Sequence, residues 1–373
     1  MKKDKKEAPL TAIRRTSISS SAELVHYYST DLEACQESEI FELSTKFAPK
    51  RKDAELLSAS YERLRERGRA VRVAECGTLV QFAHAVDSGG VVDSHGRLCS
   101  ANFCRDRLCP LCAWRRTLKI YSQVSQIVSV IESKCQFLFL TLTIPNCSAE
   151  ELSRTITKLM RGFDRLMKLK KVKTAVCGFF RALEVTRNAE QDTYHPHFHV
   201  ILAVSPKYFK GKDYIRQDEW LQMWRDSYGD ETITQVDIRR ARGKSGSDDL
   251  ASAVAEMAKY TVKSSDYLTS DESTTDRIVL TLAGALKGRR LVHFGGIFKE
   301  IAKKLKLDDP EDGDLIHIGE ELHPAVAQLI LTYRWGIGLY KLEKRELFAL
   351  DASQLIDGAS EGSMAYLDLD ALG

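Results

Sequence analysis

Three of the chain's nine histidines occupy alternate positions in the run His195-Pro196-His197-Phe198-His199. Residues two apart in a β-strand point to the same face, so the run predicts a strand that presents three imidazoles together. Clustered imidazoles repel one another when protonated and cost free energy when they are buried without partners. A divalent metal ion satisfies such a group most simply, so the pattern favours a metal site over a strand edge that carries solvated histidines.

Five cysteines form a second candidate site. Cys99, Cys104, Cys109 and Cys112 lie within 14 residues, and Cys76 precedes them. Cys109 and Cys112 have the CxxC spacing, and two such sulfurs with two further thiolates make a tetrahedral Zn²⁺ site. Five thiols compete for four positions, and scattered buried thiols are the alternative. A redox CxxC is disfavoured because no thioredoxin-like strand precedes it. Closely packed thiols also lead us to expect a cytoplasmic protein.

A third candidate site lies on a helix predicted over residues 250–263. Glu256, Tyr260 and Lys263 are spaced i, i+4 and i+7, so they share one face of that helix. The phenolate of Tyr260 can attack phosphorus, and Lys263 or Lys259 can favour the phenolate. Glu256 can accept a proton from water. The alternative is a tyrosine in the core beside a solvated salt bridge.

The positive charge of the chain is concentrated in two segments, although its total is small. The net charge is +3, from 55 basic and 52 acidic side chains. Between Arg154 and Lys173 there are eight basic residues and one acid, and a second basic cluster includes Arg239 and Arg240. A balanced total can therefore conceal a basic surface for nucleic acid. No run of about 18 apolar residues occurs, so we expect no membrane span. The charged N-terminus is unlike a secretory signal.

The pattern of apolar residues predicts an α+β fold, with a central antiparallel sheet and flanking helices. Strands are predicted at 136–144, 178–186, 195–204 and 233–239. Helices are predicted at 54–69, 149–170, 216–227 and 250–263, and a helical, mixed-charge region follows residue 270.

Four motifs occur in order between residues 76 and 345. They are the cysteine motif 104–116, the strand motif 139–143, the paired motifs 181–186 and 195–200, and the tyrosine motif 256–263. Together they closely resemble the rolling-circle replication initiators of small bacterial plasmids, which belong to the HUH endonuclease superfamily. The resemblance implies an HUH-type nuclease core. The first 70 residues and the acidic tail lie outside it.

The resemblance implies that the histidine strand binds the catalytic metal ion. His197 and His199 would be ligands of Mg²⁺ or Mn²⁺, which would polarise the scissile phosphate. Glu184 is the candidate third ligand, because its strand could pair antiparallel with the histidine strand and so place it on the same face. His195 competes for that position.

The resemblance also implies a covalent mechanism. Tyr260 would nick one DNA strand and form a 5′-phosphotyrosine, leaving a free 3′-OH as primer. Glu256 matches the position that directs water to end the cycle by hydrolysis, and Lys259 and Lys263 would assist the phenolate. Some relatives carry a second nucleophilic tyrosine, but we interpret Tyr267 as structural.

The cysteine region resembles a zinc-binding element of the same family. Its implied Zn²⁺ ligands are Cys76, Cys104, Cys109 and Cys112, and Cys99 is a departure that leaves the assignment open. The basic residues Arg115 and Arg116 of this module, together with Arg239 and Arg240, are candidates for DNA contacts.

These motifs and changes in composition divide the chain into five parts. They are a charged, partly disordered N-terminal region (1–70), a cysteine-rich zinc module (71–125), the HUH endonuclease core (126–268), a helical C-terminal part that could bind the origin (269–345), and an acidic tail (346–373).

The implied partner is the plasmid origin, single-stranded at the nick. No GxxxxGK[ST] loop is present, so unwinding would need a host helicase. A homo-oligomer is left open. Two other functions are considered: a zinc-dependent DNA-binding regulator without catalysis, and a transposase or relaxase of the same superfamily. A relaxase is disfavoured because the histidine motif precedes Tyr260.

Overall fold

The computed structural model describes residues 29–87, 92–93, 95–240, 262–318, 327–349 and 365–368. The helices are α1 (Ser29–Glu42), α2 (Ala48–Arg63), α3 (Arg67–Glu75), α4 (Pro110–Ile131), α5 (Leu152–Lys168), α6 (Lys170–Ala175), α7 (Gln217–Tyr228), α8 (Glu272–Leu286) and α9 (Ile297–Lys304). The strands are β1 (Leu79–Val86), β2 (Arg97–Ala101), β3 (Gln136–Leu142), β4 (Val176–Asn188), β5 (Thr193–Val204), β6 (Val236–Arg240), β7 (Val292–Gly296), β8 (Ala327–Gly336), β9 (Leu339–Ala349) and β10 (Ala365–Asp368). The predicted α+β class is confirmed.

The central sheet has the strand order β6-β3-β5-β4-β7, and all its pairs are antiparallel. Alternation along β5 sends Phe198 and Val200 to one face, where α5 and α7 cover them. Ile201 and Ala203 point to the other face and pack against α4 and α9. The histidines of β5 lie on this second face, beyond the part of it that α4 and α9 pack against.

A second antiparallel sheet has the order β10-β9-β8-β1-β2. Phe47, from a π-helical stretch between α1 and α2, packs edge-on against Phe82 of β1 and Tyr340 of β9. Its ring also meets Trp114 in the first turns of α4, at 5.0 Å between centroids. Helix α4 therefore links the two sheets: its start meets the second sheet through Phe47, and its later turns pack against the central sheet.

The predicted strands of the central sheet are confirmed, as are the helices at 149–170 and 216–227, with small shifts at their ends. The helix predicted at 250–263 lies outside the described residues except for its last two positions. Among the described residues, no helix is long and apolar enough to cross a membrane.

Two expectations about secondary structure are wrong for the described residues. In the N-terminal region, residues 29–50 are helical, and the ring of Phe47 packs against Phe82 and Tyr340. The single helix expected at 54–69 is two helices, since the chain turns at Arg65, whose φ is +62°. The C-terminal part holds α8 and α9, but β7 joins the central sheet and β8 and β9 form a hairpin of the second.

The missed hairpin has a recognisable turn. Ile337 and Gly338 connect β8 to β9, and both have positive φ (53° and 80°). A two-residue turn of this kind matches the twist of the paired strands. The turn glycine and the flanking β-branched and aromatic residues are the signals that could have predicted a strand pair here.

Candidate metal centres

The first candidate centre is formed across the β4–β5 pair. Glu184 lies directly opposite His197 in the antiparallel register, and His199 pairs with Ala182. Opposite residues of such a pair share a face, so the register brings one carboxylate to two imidazoles. The predicted pairing of the two strands is confirmed, and Glu184, His197 and His199 form a group whose ligand atoms lie within 4.8 Å of one another.

The three ligand atoms converge on one point. Glu184 Oε2 lies 2.9 Å from His199 Nε2 and 3.4 Å from His197 Nε2, and the two Nε2 atoms are 3.2 Å apart. At metal–ligand distances of about 2.0–2.1 Å, neighbouring ligands lie about 3.0 Å apart in octahedral geometry and about 3.4 Å in tetrahedral geometry. The observed separations therefore fit three ligands on one ion, with further positions open to a substrate.

The hydrogen bonds around the group orient its ligands. His197 Nδ1 lies 3.0 Å from the carbonyl oxygen of His195 and donates to it. With Nδ1 as the donor, Nε2 of His197 points at Glu184 Oε2, and a proton or a metal ion between these two atoms makes the contact favourable. Thr141 of β3, within the strand motif 139–143, places its hydroxyl 3.5 Å from His199 Nδ1.

Glu184 is the anionic member of this centre. Burial alone would raise the pKa of its carboxyl, but hydrogen bonds with His197 and His199 hold that pKa well below its usual value. The carboxylate is thus ionised and available as a ligand. His195 lies outside the three-residue group: its ring stacks on that of His197 at 4.9 Å.

Lys263 lies at the edge of this centre. Its Nζ is 3.8 Å from Glu184 Oε1, and its side chain is 56% exposed. The other members of the tyrosine motif, Glu256, Lys259 and Tyr260, lie outside the described residues. Four residues after Lys263, Tyr267 is buried and donates its hydroxyl to the carbonyl of Leu108. That position fits the structural interpretation of Tyr267.

The second candidate centre is formed by Cys76, Cys104, Cys109 and Cys112. Cys76 Sγ lies 3.5 Å from Cys109 Sγ and 3.6 Å from Cys112 Sγ, and the Cys104–Cys112 sulfur distance is 3.7 Å. Four thiolates at about 2.3 Å from one tetrahedral ion lie about 3.8 Å apart, so these separations fit a single metal ion.

Hydrogen bonds and burial set the ionisation of the four sulfurs at this centre. The backbone N–H of Arg105 donates to Cys112 Sγ at 3.2 Å, and a positive φ at Arg105 turns the chain to allow it. Hydrogen bonds from the thiols of Cys109, Cys112 and Cys76 lower the pKa of Cys104. The hydrogen bond with Cys104 raises the pKa of Cys76 and of Cys112, and burial raises that of Cys109. Four ionised sulfurs at this distance need a cation.

Cys99 does not join this group. It lies on β2, and its thiol donates to the carbonyl of Gln81 at 3.4 Å. The structure therefore brings together four of the five candidate cysteines and leaves Cys99 as a thiol packed within the second sheet.

The prediction that Arg115 and Arg116 contact DNA needs a correction, because both side chains are buried. Arg115 donates to the carbonyls of Leu315 and Ile316 at 2.8 and 2.7 Å. Arg116 donates to the carbonyls of Arg105, Asp106 and Glu311. These guanidinium groups fasten the cysteine loop and the segment after α9 to α4. The basic character of the motif misled the prediction, because sequence does not show which groups an arginine meets.

Arg239 and Arg240 lie on the exposed edge strand β6. Arg239 pairs with Phe139 in the register, which puts it on the face of the histidines, and its side chain is 72% exposed. It forms a salt bridge with Asp237 at 2.8 Å. Arg240 points to the other face, where it covers the ring of Phe209.

Known proteins are similar in sequence to this chain over most of its length. The family model for replication protein matches residues 95–341. The chain is 42% identical to a Protein rep of Bacillus amyloliquefaciens over 295 residues, which are 73% of this chain and 85% of that protein. It is 38% identical to a Protein rep of Lactiplantibacillus plantarum over 296 residues, 76% of this chain and 91% of that protein. No solved structure gives a significant match.

These matches define the class as plasmid replication initiators, and the resemblance drawn from the sequence motifs is confirmed. The chain belongs to the replication protein family, whose model covers more than half of its length.

Replacement of Cys109 tests the four-cysteine centre. The wild-type protein should contain about one thiol-bound metal ion per chain. Cys109→Ser should lose that ion and melt at a lower temperature, because two buried thiols and one half-buried thiol would remain without a cation. Cys99→Ser, the matched control, should keep the ion. Elemental mass spectrometry and thermal denaturation measure both effects, and metal retained by Cys109→Ser would contradict the assignment.

Proposed function

We propose that this replication initiator is an endonuclease that nicks one strand of the plasmid origin with Tyr260 and later rejoins the strand. The observation that carries the proposal is the convergence of Glu184, His197 and His199 beside Lys263. Membership of the replication protein family supplies DNA as the substrate class.

The chain length between Lys263 and Tyr260 supports the nucleophile assignment. Three residues of chain span at most about 11 Å between Cα atoms. Lys263 Nζ lies 3.8 Å from Glu184 Oε1, so a tyrosine three residues earlier in the chain is compatible with attack on a phosphate held at that group.

The proposed reaction exchanges one phosphodiester for another. The Tyr260 phenolate oxygen bonds to phosphorus while the bond from phosphorus to the 3′ oxygen breaks. The phenol proton passes to solvent, and the departing 3′ oxygen gains a proton to become the free 3′-OH. Lys263 and Lys259 favour the phenolate and balance the charge on the phosphate. The 5′-phosphotyrosine conserves the bond energy for rejoining, so the reaction itself needs no ATP.

Two metal ions fit the donor sets. Glu184, His197 and His199 would hold Mn²⁺ or Mg²⁺, ions that bind carboxylate oxygen and also accept imidazole ligands. The ion would polarise the scissile phosphate as a Lewis acid. The four thiolates suit Zn²⁺ in a structural role. His195 remains available as an alternative ligand only if its ring leaves the stack on His197.

In this proposal the reaction ends by hydrolysis and depends on partners. Glu256 accepts a proton from a water molecule that attacks the phosphotyrosine, which releases the strand. The substrate must be single-stranded at the nick, with Arg239 as a contact to its backbone on the histidine face. A host helicase supplies unwinding, and replication of a plasmid places the protein in the cytoplasm. A non-catalytic regulator would have no use for the carboxylate–histidine group.

Replacement of His199 tests the catalytic metal. His199→Ala removes a ligand, so Mn²⁺-dependent cleavage of an origin oligonucleotide should fall by at least about 100-fold. His195→Ala, the matched control, should retain most of the activity because its ring lies outside the group. Cleavage is measured at increasing Mn²⁺ after removal of free metal. Equal losses in both variants at unchanged melting temperature would contradict this ligand set.

Replacement of Tyr260 tests the nucleophile. Tyr260→Phe lacks the attacking oxygen, so it should form no covalent DNA adduct while its affinity for the oligonucleotide stays within about threefold of wild type. Tyr267→Phe should still form the adduct, since its phenol is buried against Leu108. Denaturing gels detect the adduct and mass spectrometry locates it. An adduct in Tyr260→Phe would show that another residue is the nucleophile.

Replacement of Glu256 separates initiation from termination. Glu256→Ala should nick at a rate within about tenfold of wild type, but hydrolysis of the phosphotyrosine should fall by about 100-fold or more, so the adduct accumulates. Glu231→Ala, which removes an exposed carboxylate elsewhere, should change neither rate. The two rates are measured in a single-turnover time course. Parallel loss of both steps in Glu256→Ala would indicate a structural role instead.

A further inference from the structure

We propose that the outer face of α5 docks the phosphate backbone of duplex DNA, at a surface separate from the nicking site. The surface, here called the α5 stripe, consists of Arg154, Lys158, Arg161, Arg165 and Lys168. The proposal goes beyond the nicking reaction and stands whether or not Tyr260 is the nucleophile.

The spacing of the stripe follows the helix. Its members lie at i, i+4, i+7, i+11 and i+14, so they form one row along α5, and each of them is exposed. The row is about 21 Å long at 1.5 Å per residue. The opposite side of α5 is buried in the core through Ile156, Leu159, Phe163 and Leu166. The core contacts therefore hold α5 in an orientation that presents the whole row to solvent.

The stripe carries more positive charge than its surroundings neutralise, although Asp230 lies close enough to Lys158 to interact with it. Asp164 is the one acid in α5, against five basic residues. Lys158 donates to the carbonyl of Gly229 at 3.3 Å and covers the ring of Tyr228, and Arg165 donates to the carbonyl of Ser227 at 2.6 Å. These neutral partners fix the side chains in place and leave their charges available.

The stripe also lines a groove that can accept the phosphate backbone of DNA. Four of its members, with Thr157, line a shallow groove of about 370 Å³. Arg289, which precedes β7, donates to Thr157 and to Ser153 and so adds a further guanidinium beside the groove. Helix α2, by comparison, carries acids among its bases (Asp53, Glu55 and Glu62), which is typical of a solvated face.

The stripe lies on the opposite side of the central sheet from the carboxylate–histidine group. Phe163 of α5 packs on Phe198 at 5.4 Å between ring centroids, whereas His197 and His199 point to the other face. A strand held at the nicking site therefore occupies a different surface. Duplex DNA carries about one charge per 1.7 Å of axis, and its rigid backbone matches a straight row of cations. The occupant is thus the duplex beside the nick.

The experiment compares two double variants that each remove two positive charges. Arg154→Gln with Arg161→Gln removes part of the stripe, and Lys46→Gln with Lys52→Gln removes exposed lysines near α2. Binding of a labelled duplex is measured by fluorescence anisotropy over a salt series. The stripe variant should bind the duplex about tenfold or more weakly at about 150 mM salt, with a salt slope smaller by about two. The lysine variant should match wild type.

The same proteins are then given a single-stranded origin oligonucleotide. The stripe variant should bind and cleave it as wild type does, at an unchanged melting temperature. Duplex affinity and slope equal to those of the lysine variant would overturn the proposal and favour an acidic protein as the occupant. Equal weakening for single-stranded and duplex DNA would also overturn it. If wild type fails to nick but the duplex results hold, the proposed function fails and the α5 stripe stands.

Discussion

The register of the β4–β5 pair is the constraint on which the candidate catalytic centre depends. A shift of one residue would turn Glu184 to the opposite face of the sheet, away from both imidazoles. Two features fix the register. Leu183 and Val185 pack into the core on the face opposite the histidines, and at the hairpin end Arg187 holds Asp192 at 2.6 Å. The ligand geometry is thus a consequence of ordinary core packing and turn chemistry.

The two candidate metal centres are linked by one short segment of chain. Val262 is buried in the core, Lys263 contacts Glu184, and Tyr267 donates to the carbonyl of Leu108, next to Cys109. The segment is therefore anchored at one end to the carboxylate–histidine group and at the other to the cysteine loop. A change in the cysteine loop would move the hydrogen-bond acceptor of Tyr267, and with it the segment that holds Lys263 beside Glu184. The cysteine centre is in this way coupled to the carboxylate–histidine group through the fold.

The sequence could predict those parts of the fold and site that depend on local pattern. The alternation of His197 and His199 predicted that both side chains lie on one face of a strand. The apolar strand predicted at 178–186 was the neighbour that carries Glu184. The order and bounds of the C-terminal strands could not be predicted as readily, because β7 and β8 pair with strands more than 100 residues earlier in the chain. The choice of four cysteines among five also required the structure. Spacing in the sequence does not separate Cys99 from Cys104, but Cys99 lies on strand β2 and Cys104 lies in a loop beside the other three thiols.

The arginines show why a basic motif and a basic surface must be distinguished. Arg115 and Arg116 lie in a cysteine motif that resembles a zinc-binding element and were candidates for DNA contacts, yet both are buried and donate to backbone carbonyls. Arg154 and Arg161 belong to no recognisable motif, yet they lie exposed in a row on a helix that contains a single acid. A buried guanidinium stabilises the fold through hydrogen bonds to carbonyls that would otherwise lack partners. An exposed one retains its charge for a polyanion, so burial and partners, more than position in a motif, decide which arginines can contact DNA.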